Sequence, residues 1–149
     1  MHQLAQINIA QMKGSDYADP IMKDFVDNID RINQIAEQND GFIWRLKDEQ
    51  NNALALSPFP DASLLINVSV WKDVDSLQKY VYESMHVEIM KRKREWFHHF
   101  KGFYYALWWI EAGKYPSAEE AAAKLKHLQT RGPSPKAFTF KTIYSPPST

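Results

Sequence analysis

The sequence predicts an α+β fold with one antiparallel sheet, and two observations support this class. Short segments in which apolar and polar residues alternate indicate strands, and longer segments with apolar residues three or four positions apart indicate helices. Along the chain these segments follow the order β-α-β-β-α-β, and a further helix and strand come after them. This is the order of the ferredoxin-like split βαβ motif. We therefore expect a ferredoxin-like sheet with a C-terminal helix and strand.

The first half of the chain begins with a predicted strand, in which residues Leu4 to Ile9 alternate between two faces. Asp19-Pro20 is typical of a helix start and Asp40-Gly41 of a helix end, so the helically spaced apolar residues between them predict the first helix. Residues 42–46 predict a short strand. The long polar connection over 47–63 has the length of a functional or flexible loop.

The third predicted strand, Leu64 to Trp71, has two different faces. One face is aliphatic and predicts core; it holds Leu64, Ile66, Val68 and Val70. The other face mixes polar and aromatic residues; it holds Leu65, Asn67, Ser69 and Trp71. Because Gln6 and Asn8 give the first strand a similar polar face, we expect this side of the sheet to be covered and to line a cavity.

The next segment predicts two helices and a fourth strand. Asp73 is a candidate cap for a helix that extends to about Ser84, and a second helical stretch runs from Met85 to Phe100. The junction near Ser84 predicts a kink. Tyr104 to Glu111 is apolar on both faces, so we expect this strand to be covered on both sides.

The end of the chain predicts one more helix and one more strand. Pro116-Ser117 followed by Glu120 is a capping-box start, and Gly132-Pro133 is typical of a helix end. Ala137 to Tyr144 alternates in the manner of a strand. We expect a single domain over residues 1–145 and a disordered tail over 146–149, since single domains commonly have roughly 100–150 residues.

Composition excludes several classes of protein. The chain has no cysteine, which excludes disulfides and thiolate catalysis. Lys plus Arg and Asp plus Glu are equal at 18 each, so no global charge attracts nucleic acid, and the basic run 91–94 is interpreted as a solvated helix face. No apolar run reaches the roughly 18 residues of a membrane span, and no signal peptide is evident. We expect a cytoplasmic protein that binds neither nucleic acid nor membrane.

A homodimer is the expected assembly. In a ferredoxin-like sheet the helices cover one face, and the opposite face is bare unless a partner covers it. We assign Trp44, Trp71 and one of the tryptophans Trp108 and Trp109 to that opposite face, which is then too apolar to contact water. The sheets of two copies are therefore predicted to pack face to face.

Several segments resemble the domain-of-unknown-function family 3291, and the resemblance covers nearly the whole chain. They include Ser69-Val70-Trp71-Lys72, Leu107-Trp108-Trp109, Ala112-Gly113-Lys114-Tyr115-Pro116 and the run from Gly132 to Phe140. The resemblance implies membership of the dimeric α+β barrel superfamily. That superfamily includes antibiotic-biosynthesis monooxygenases and haem-degrading monooxygenases, so the resemblance implies fold more strongly than function.

The cofactor-independent monooxygenases of that superfamily use an Asn and a Trp four residues apart on a cavity-facing strand, which implies this role for Asn67 and Trp71. The amide would donate to the oxyanion of a flat aromatic or quinol-like substrate, and the indole would stack on the ring. His86 or Tyr82 is the expected proton acceptor. The alternative for Asn67 is a structural hydrogen bond.

Two other functions remain open. Resemblance to the haem-degrading relatives implies a role for Asn8, although Tyr80 and Met90 occupy the positions of the expected Trp and His. Haem would then bind through His86; no other metal site is predicted. The third hypothesis is a protein that binds a small apolar or aromatic molecule without catalysis. The candidate ligand-binding residues are Gln6, Asn8, Trp44, Ser69, Tyr80 and Trp109.

Overall fold

The fold is α+β, as predicted. The computed structural model describes residues 1–84 and 87–147, which contain one open four-stranded sheet and four α-helices. In chain order the elements are β1 (His2–Gln11), α1 (Lys23–Glu37), β2 (Phe42–Arg45), β3 (Leu64–Trp71), α2 (Val74–Lys79), α3 (Val87–Trp96), β4 (Tyr105–Glu111) and α4 (Ala118–Arg131). A 3₁₀ turn over Pro20–Met22 precedes α1, and a π-helical segment over Tyr80–Ser84 follows α2. None of the helices within these ranges combines the length and apolar character needed to cross a bilayer.

The strands lie in the order β2-β3-β1-β4, and every neighbouring pair is antiparallel. Asn8 in the middle of the sheet is opposite Asn67 on one side and Tyr105 on the other. Alternation along the strands gives the sheet two faces. We call the side that carries Gln6, Asn8, Asn67 and Ser69 the amide face, and the other side the apolar face.

The apolar face is buried within the single chain. Ile7, Val68 and Val70 on this face are at most 1% exposed. They belong to a core to which α4 contributes Ala118, Ala121, Leu125 and Leu128. The prediction of a bare sheet face was therefore wrong, because α4, the C-terminal helix, covers it.

Helices α1, α2 and α3 cover the amide face through two apolar clusters. The cluster at one end of the face includes Leu4, Ala36, Trp71, Leu77, Tyr80, Leu107 and Phe138. The cluster at the other end includes Met12, Met22, Leu65 and Trp96. Trp71 thus lies beneath helices, so its assignment to a face in need of a partner was also wrong. The polar residues of the amide face lie between the two clusters.

The helix ends follow local signals in the sequence. The Asp73 carboxylate caps α2 by accepting from the Ser76 N–H at 2.8 Å, and the Ser117 hydroxyl caps α4 by accepting from the Glu120 N–H at 3.1 Å. Gly132, with φ of 77°, ends α4 in the left-handed region that favours glycine. The helix predicted to extend to about Ser84 ends at Lys79 and is followed by the π-helical segment, and residues 85–86 at the predicted kink lie outside the described residues.

The predicted last strand, Ala137 to Tyr144, is not a strand. One residue of this segment, Phe138, exchanges two backbone hydrogen bonds with Leu107 of β4, both at 2.8 Å. Tight turns that close between Ser134 and Ala137 and between Thr139 and Thr142 stop the ladder on either side. Ala137 and Phe138 are both fully buried and pack in the clusters on opposite faces of the sheet, so strand-like alternation is present only between the two turns. We call residues 133–144 the strap.

Candidate functional site

A connected group of polar side chains lies in the middle of the amide face. Gln6 Nε2 donates to Asn67 Oδ1 and to Ser69 Oγ, both at 2.7 Å. Trp71 Nε1 donates to the same Ser69 oxygen at 2.8 Å. The structure therefore connects four of the predicted site residues, namely Gln6, Asn67, Ser69 and Trp71. Asn8 lies beside them, directly opposite Asn67. We call Gln6, Asn8, Asn67 and Ser69 the amide patch.

Two amides of this patch keep unused hydrogen-bonding capacity. Asn67 is exposed, and with Oδ1 accepting from Gln6 its Nδ2 has no partner among the described residues. Asn8 has a buried Oδ1 that receives no hydrogen bond. Because the two residues are directly opposite in register, their Cβ atoms lie roughly 4.5–5.5 Å apart. The patch thus offers an unpaired donor next to an unpaired acceptor.

Trp71 packs beside the amide patch and holds one of its members, Ser69, in place. Its ring is 1% exposed, stacks on Tyr80 with a centroid separation of 5.0 Å, and meets the edge of Phe42 at 5.5 Å. The protein itself covers the indole ring, so in this geometry Trp71 holds the Ser69 hydroxyl in position. The stacking role implied for it by resemblance would require the ring to become uncovered.

The π-helical segment directs its two candidate tyrosines to different environments. Tyr80 is 9% exposed, and burial raises the pKa of its hydroxyl. Tyr82 is 71% exposed, and its ring lies near that of Phe140. Tyr80 therefore contributes packing beside Trp71, whereas Tyr82 is open to solvent and to a ligand.

Trp44 and Trp109 lie on opposite sides of the sheet. Trp109 contacts the cluster on the amide face, and its Nε1 donates to the backbone oxygen of Tyr144 at 2.8 Å. Trp44 packs against the core of the apolar face and stacks on Tyr115 at 5.0 Å. An irregularity in β2 shifts its register, so that Trp44 is opposite Val70. The structure therefore separates Trp44 from the other candidate ligand-binding residues.

His86, the predicted haem ligand and alternative proton acceptor, lies outside the described residues. Within the described ranges, no group of three His, Cys, Asp or Glu side chains is arranged to hold a metal ion. Asn8, to which the resemblance to haem-degrading proteins gives a role, is among the described residues and lies in the amide patch.

A group of aromatic residues beside the amide patch was not predicted as a site. Tyr82 lies 6.1 Å from Phe140, which lies 5.6 Å from Tyr105, which lies 5.1 Å from Tyr104, measured between ring centroids. Lys93 Nζ lies 5.8 Å from the centre of the Tyr104 ring. We call the four aromatic residues the tyrosine patch. The adjacent tyrosines at the start of β4 were a signal for it, since buried strand residues are more often aliphatic.

A separate cleft of about 500 Å³ lies between the end of α1 and the start of α2. Its lining includes Asp40, Asp73 and Asp75. Hydrogen bonds from the side chain and backbone of Ser76 hold the pKa of Asp73 below its usual range, which is the behaviour of a helix cap. The cleft contains none of the predicted site residues.

A crystal structure of the NE2512 protein of unknown function from Nitrosomonas europaea is similar over 78% of this chain and 97% of that chain, with 16% sequence identity and a TM-score of 0.48. No curated protein matches the chain. A family model described as a domain of unknown function matches residues 3–149. The chain therefore belongs to the family of the domain of unknown function DUF3291.

Proposed function

We propose that the chain binds a small flat molecule on the amide face, with the amide patch as its polar contact. The observation that carries this proposal is the exposed Asn67 amide beside the unsatisfied Asn8 oxygen. A buried acceptor without a partner costs about 1–3 kcal/mol, and a ligand that donates to Asn8 would recover part of that cost. The exposed rings of Tyr82 and Tyr104, which lie beside the patch, suit the flat body of such a ligand.

The chemistry that we propose is oxygenation without a cofactor. An activated carbon of the substrate loses a proton, its electrons reduce dioxygen, and one oxygen atom ends as a carbonyl while the other leaves as water. Asn67 Nδ2 would donate to the oxygen on which negative charge develops. Tyr82 and His86 stay the predicted proton acceptors, and Trp71 would act by positioning Ser69.

Oxygen uptake with an anthrone-like or quinol substrate tests this chemistry. We expect turnover by the native chain and a loss on the order of a hundredfold in Asn67→Ala and Asn67→Asp, because both lack the donating amide. Asn28→Ala, at a half-buried position of α1, is the matched control and is expected to keep full turnover. Equal turnover in all three variants would remove Asn67 from the mechanism. Binding of substrate without oxygen uptake would favour the non-catalytic ligand-binding function.

Three further expectations remain proposals. The strand order and the helices on the amide face support a ferredoxin-like arrangement. A homodimer, as in a dimeric α+β barrel, would have to form through a surface other than a bare sheet face, since α4 covers the apolar face. Haem is the alternative ligand, with Asn8 near it and His86 as its axial ligand.

A further inference from the structure

We propose that the ligand of the amide patch is a planar aromatic acid whose ring lies on the tyrosine patch and whose anionic group faces Lys93. This inference rests on the proposed function and names the class of ligand.

The tyrosine patch exposes large aromatic surface next to the site. Tyr82 is 71% exposed and Tyr104 is 42% exposed, although both contact other rings. The four rings follow one another with centroid separations between 5.1 and 6.1 Å, which are distances typical of interacting aromatic rings. A flat ring can therefore add to this series without rearrangement of the chain.

The charge beside the patch favours an acid. Lys93 has no carboxylate partner among the described residues. Its neighbour Arg92 differs, because it pairs with Asp24 and Glu95 and lies over the Trp96 ring. A cationic ligand would be repelled by Lys93, whereas an anionic group would gain an ion pair there.

The hydroxyl groups of the tyrosine patch favour a ligand group that accepts hydrogen bonds at the position next to Lys93. Burial raises the pKa of Tyr104, and the neighbouring hydroxyls of Tyr105 and Tyr82 raise it further. Tyr104 consequently keeps its proton at neutral pH and is able to donate it in a hydrogen bond. The Tyr105 hydroxyl already accepts from the Phe140 N–H at 3.1 Å, which leaves its own hydrogen to donate. A carboxylate satisfies such donors better than a neutral group does.

Strand register connects this patch to the amide patch. Tyr105 on β4 is directly opposite Asn8 on β1, and Asn8 is directly opposite Asn67 on β3. Side chains directly opposite on one face lie about 5 Å apart. The distance from Tyr105 across Asn8 to Asn67 is therefore comparable to the width of a fused aromatic ring system. One ligand can thus contact both patches.

Calorimetric titration at pH 7 with 6-hydroxy-2-naphthoate and with 6-hydroxy-2-naphthamide tests the inference, since the two probes differ in charge but share the ring and a hydroxyl group for the amide patch. We expect the acid to bind about fivefold more tightly than the amide, which is the upper range for an exposed ion pair. Lys93→Gln should remove this preference, and Lys126→Gln on α4 should leave it unchanged. Tyr82→Ser should weaken the binding of both probes, because it removes an exposed ring from the tyrosine patch, whereas Tyr17→Ser, at an exposed tyrosine outside the patch, should not.

The same titrations on Asn67→Asp separate the two proposals. Equal affinity for the two probes, both weakened in Asn67→Asp, would overturn the acid preference while the proposed function stands. Binding of the acid that depends on Lys93 and is unaffected by changes at Asn67 would overturn the inference, because the ligand then does not reach the amide patch. Binding of neither probe at millimolar concentration would overturn it as well. Light scattering of Tyr82→Ser tests whether Tyr82 contacts a second copy of the chain. A change from dimer to monomer would show such a contact and would overturn the inference.

Discussion

Ser69 is the residue on which the amide patch depends most. Its hydroxyl oxygen accepts from both Gln6 Nε2 and Trp71 Nε1, and the side chain is 5% exposed. Through this one atom the packing of Trp71 determines where the Gln6 amide lies, and Gln6 in turn holds Asn67. The polar and apolar parts of the site are therefore coupled at Ser69.

Replacement of Ser69 by alanine should leave two buried N–H donors without a partner. We expect Ser69→Ala to lower the free energy of unfolding by about 1–3 kcal/mol, because unsatisfied buried donors cost that much. Urea denaturation followed by tryptophan fluorescence measures this change. Ser145→Ala, at an exposed serine, is the matched control, and an equally small effect in both variants would contradict the coupling.

At the scale of elements, the N-terminus of α2 gives a pH-dependent contribution to stability. Hydrogen bonds from Ser76 lower the pKa of Asp73 below its ordinary value of 3.8. The carboxylate is therefore more acidic in the folded chain than in the unfolded chain. Its contribution is complete above the unfolded pKa and disappears as the pH falls through the folded pKa.

Asp73→Ala should consequently lower the free energy of unfolding by about 1 kcal/mol at pH 7. Its difference from the native chain should shrink as the pH falls below about 4. Urea denaturation between pH 7 and pH 2 measures both effects. Asp75 lies in the same helical turn but makes no cap bond, so Asp75→Ala serves as the control. A difference between native and Asp73→Ala chains that stays constant with pH would contradict the assignment.

The long loop over 47–63 is held at its start by Arg45. This guanidinium is 5% exposed and donates to Glu37 Oε1 at 3.2 Å, to the Asn51 backbone oxygen at 2.7 Å and to Asn51 Oδ1 at 3.0 Å. Asn51 has φ of 66°, a conformation that asparagine tolerates better than most residues. The planar fork of arginine thus fixes one end of the loop to α1 and β2.

Arg45→Lys keeps the charge and removes the fork, so we expect faster cleavage within 47–63 and a loss of about 1–3 kcal/mol in the free energy of unfolding. Limited proteolysis with mass spectrometry locates the cuts. Arg94→Lys, at an exposed arginine of α3, is the control. Identical cleavage rates in the two variants would show that Arg45 does not hold the loop.

Elements whose signals are local could be predicted from the sequence. β3 lies at the predicted residues, and α4 has the predicted cap at Ser117, because alternation and capping act over a few neighbouring residues. The side of the sheet on which Trp44 lies depends on contacts between distant segments, whereas the strap is not a strand because two tight turns, which the alternation of its residues did not predict, interrupt it. The amide patch was predicted from strand periodicity, whereas the tyrosine patch needs Phe140 and Tyr82 to approach across the fold.

At the scale of the whole molecule, α4 is the element that completes the core. It buries the apolar face without a second copy, so this layer of the core is already complete within one chain. The ferredoxin-like order does not specify where a C-terminal addition lies, and for this reason the bare face was predicted incorrectly. The stability of this layer should therefore be a property of the single chain.

Leu125 on α4 is 1% exposed, so its replacement tests whether the stability of this layer belongs to the single chain. Leu125→Ala should lower the free energy of unfolding by about 2–5 kcal/mol through loss of buried surface and creation of a cavity. Because the contact lies within one chain, the loss should be the same at every protein concentration. Lys126→Ala is the exposed control. A loss that varies with concentration in urea denaturation would indicate instead that α4 packs on a partner.

The strap also has a consequence for the behaviour of the protein at high concentration. The outer edge of β4 would otherwise present a row of backbone donors and acceptors, which is a template for aggregation. The exchange between Leu107 and Phe138 uses the middle of this row, and the turns on either side prevent the strap from becoming a further strand with a new open edge. The strap therefore terminates the sheet at β4 and protects that edge against the addition of strands from other chains.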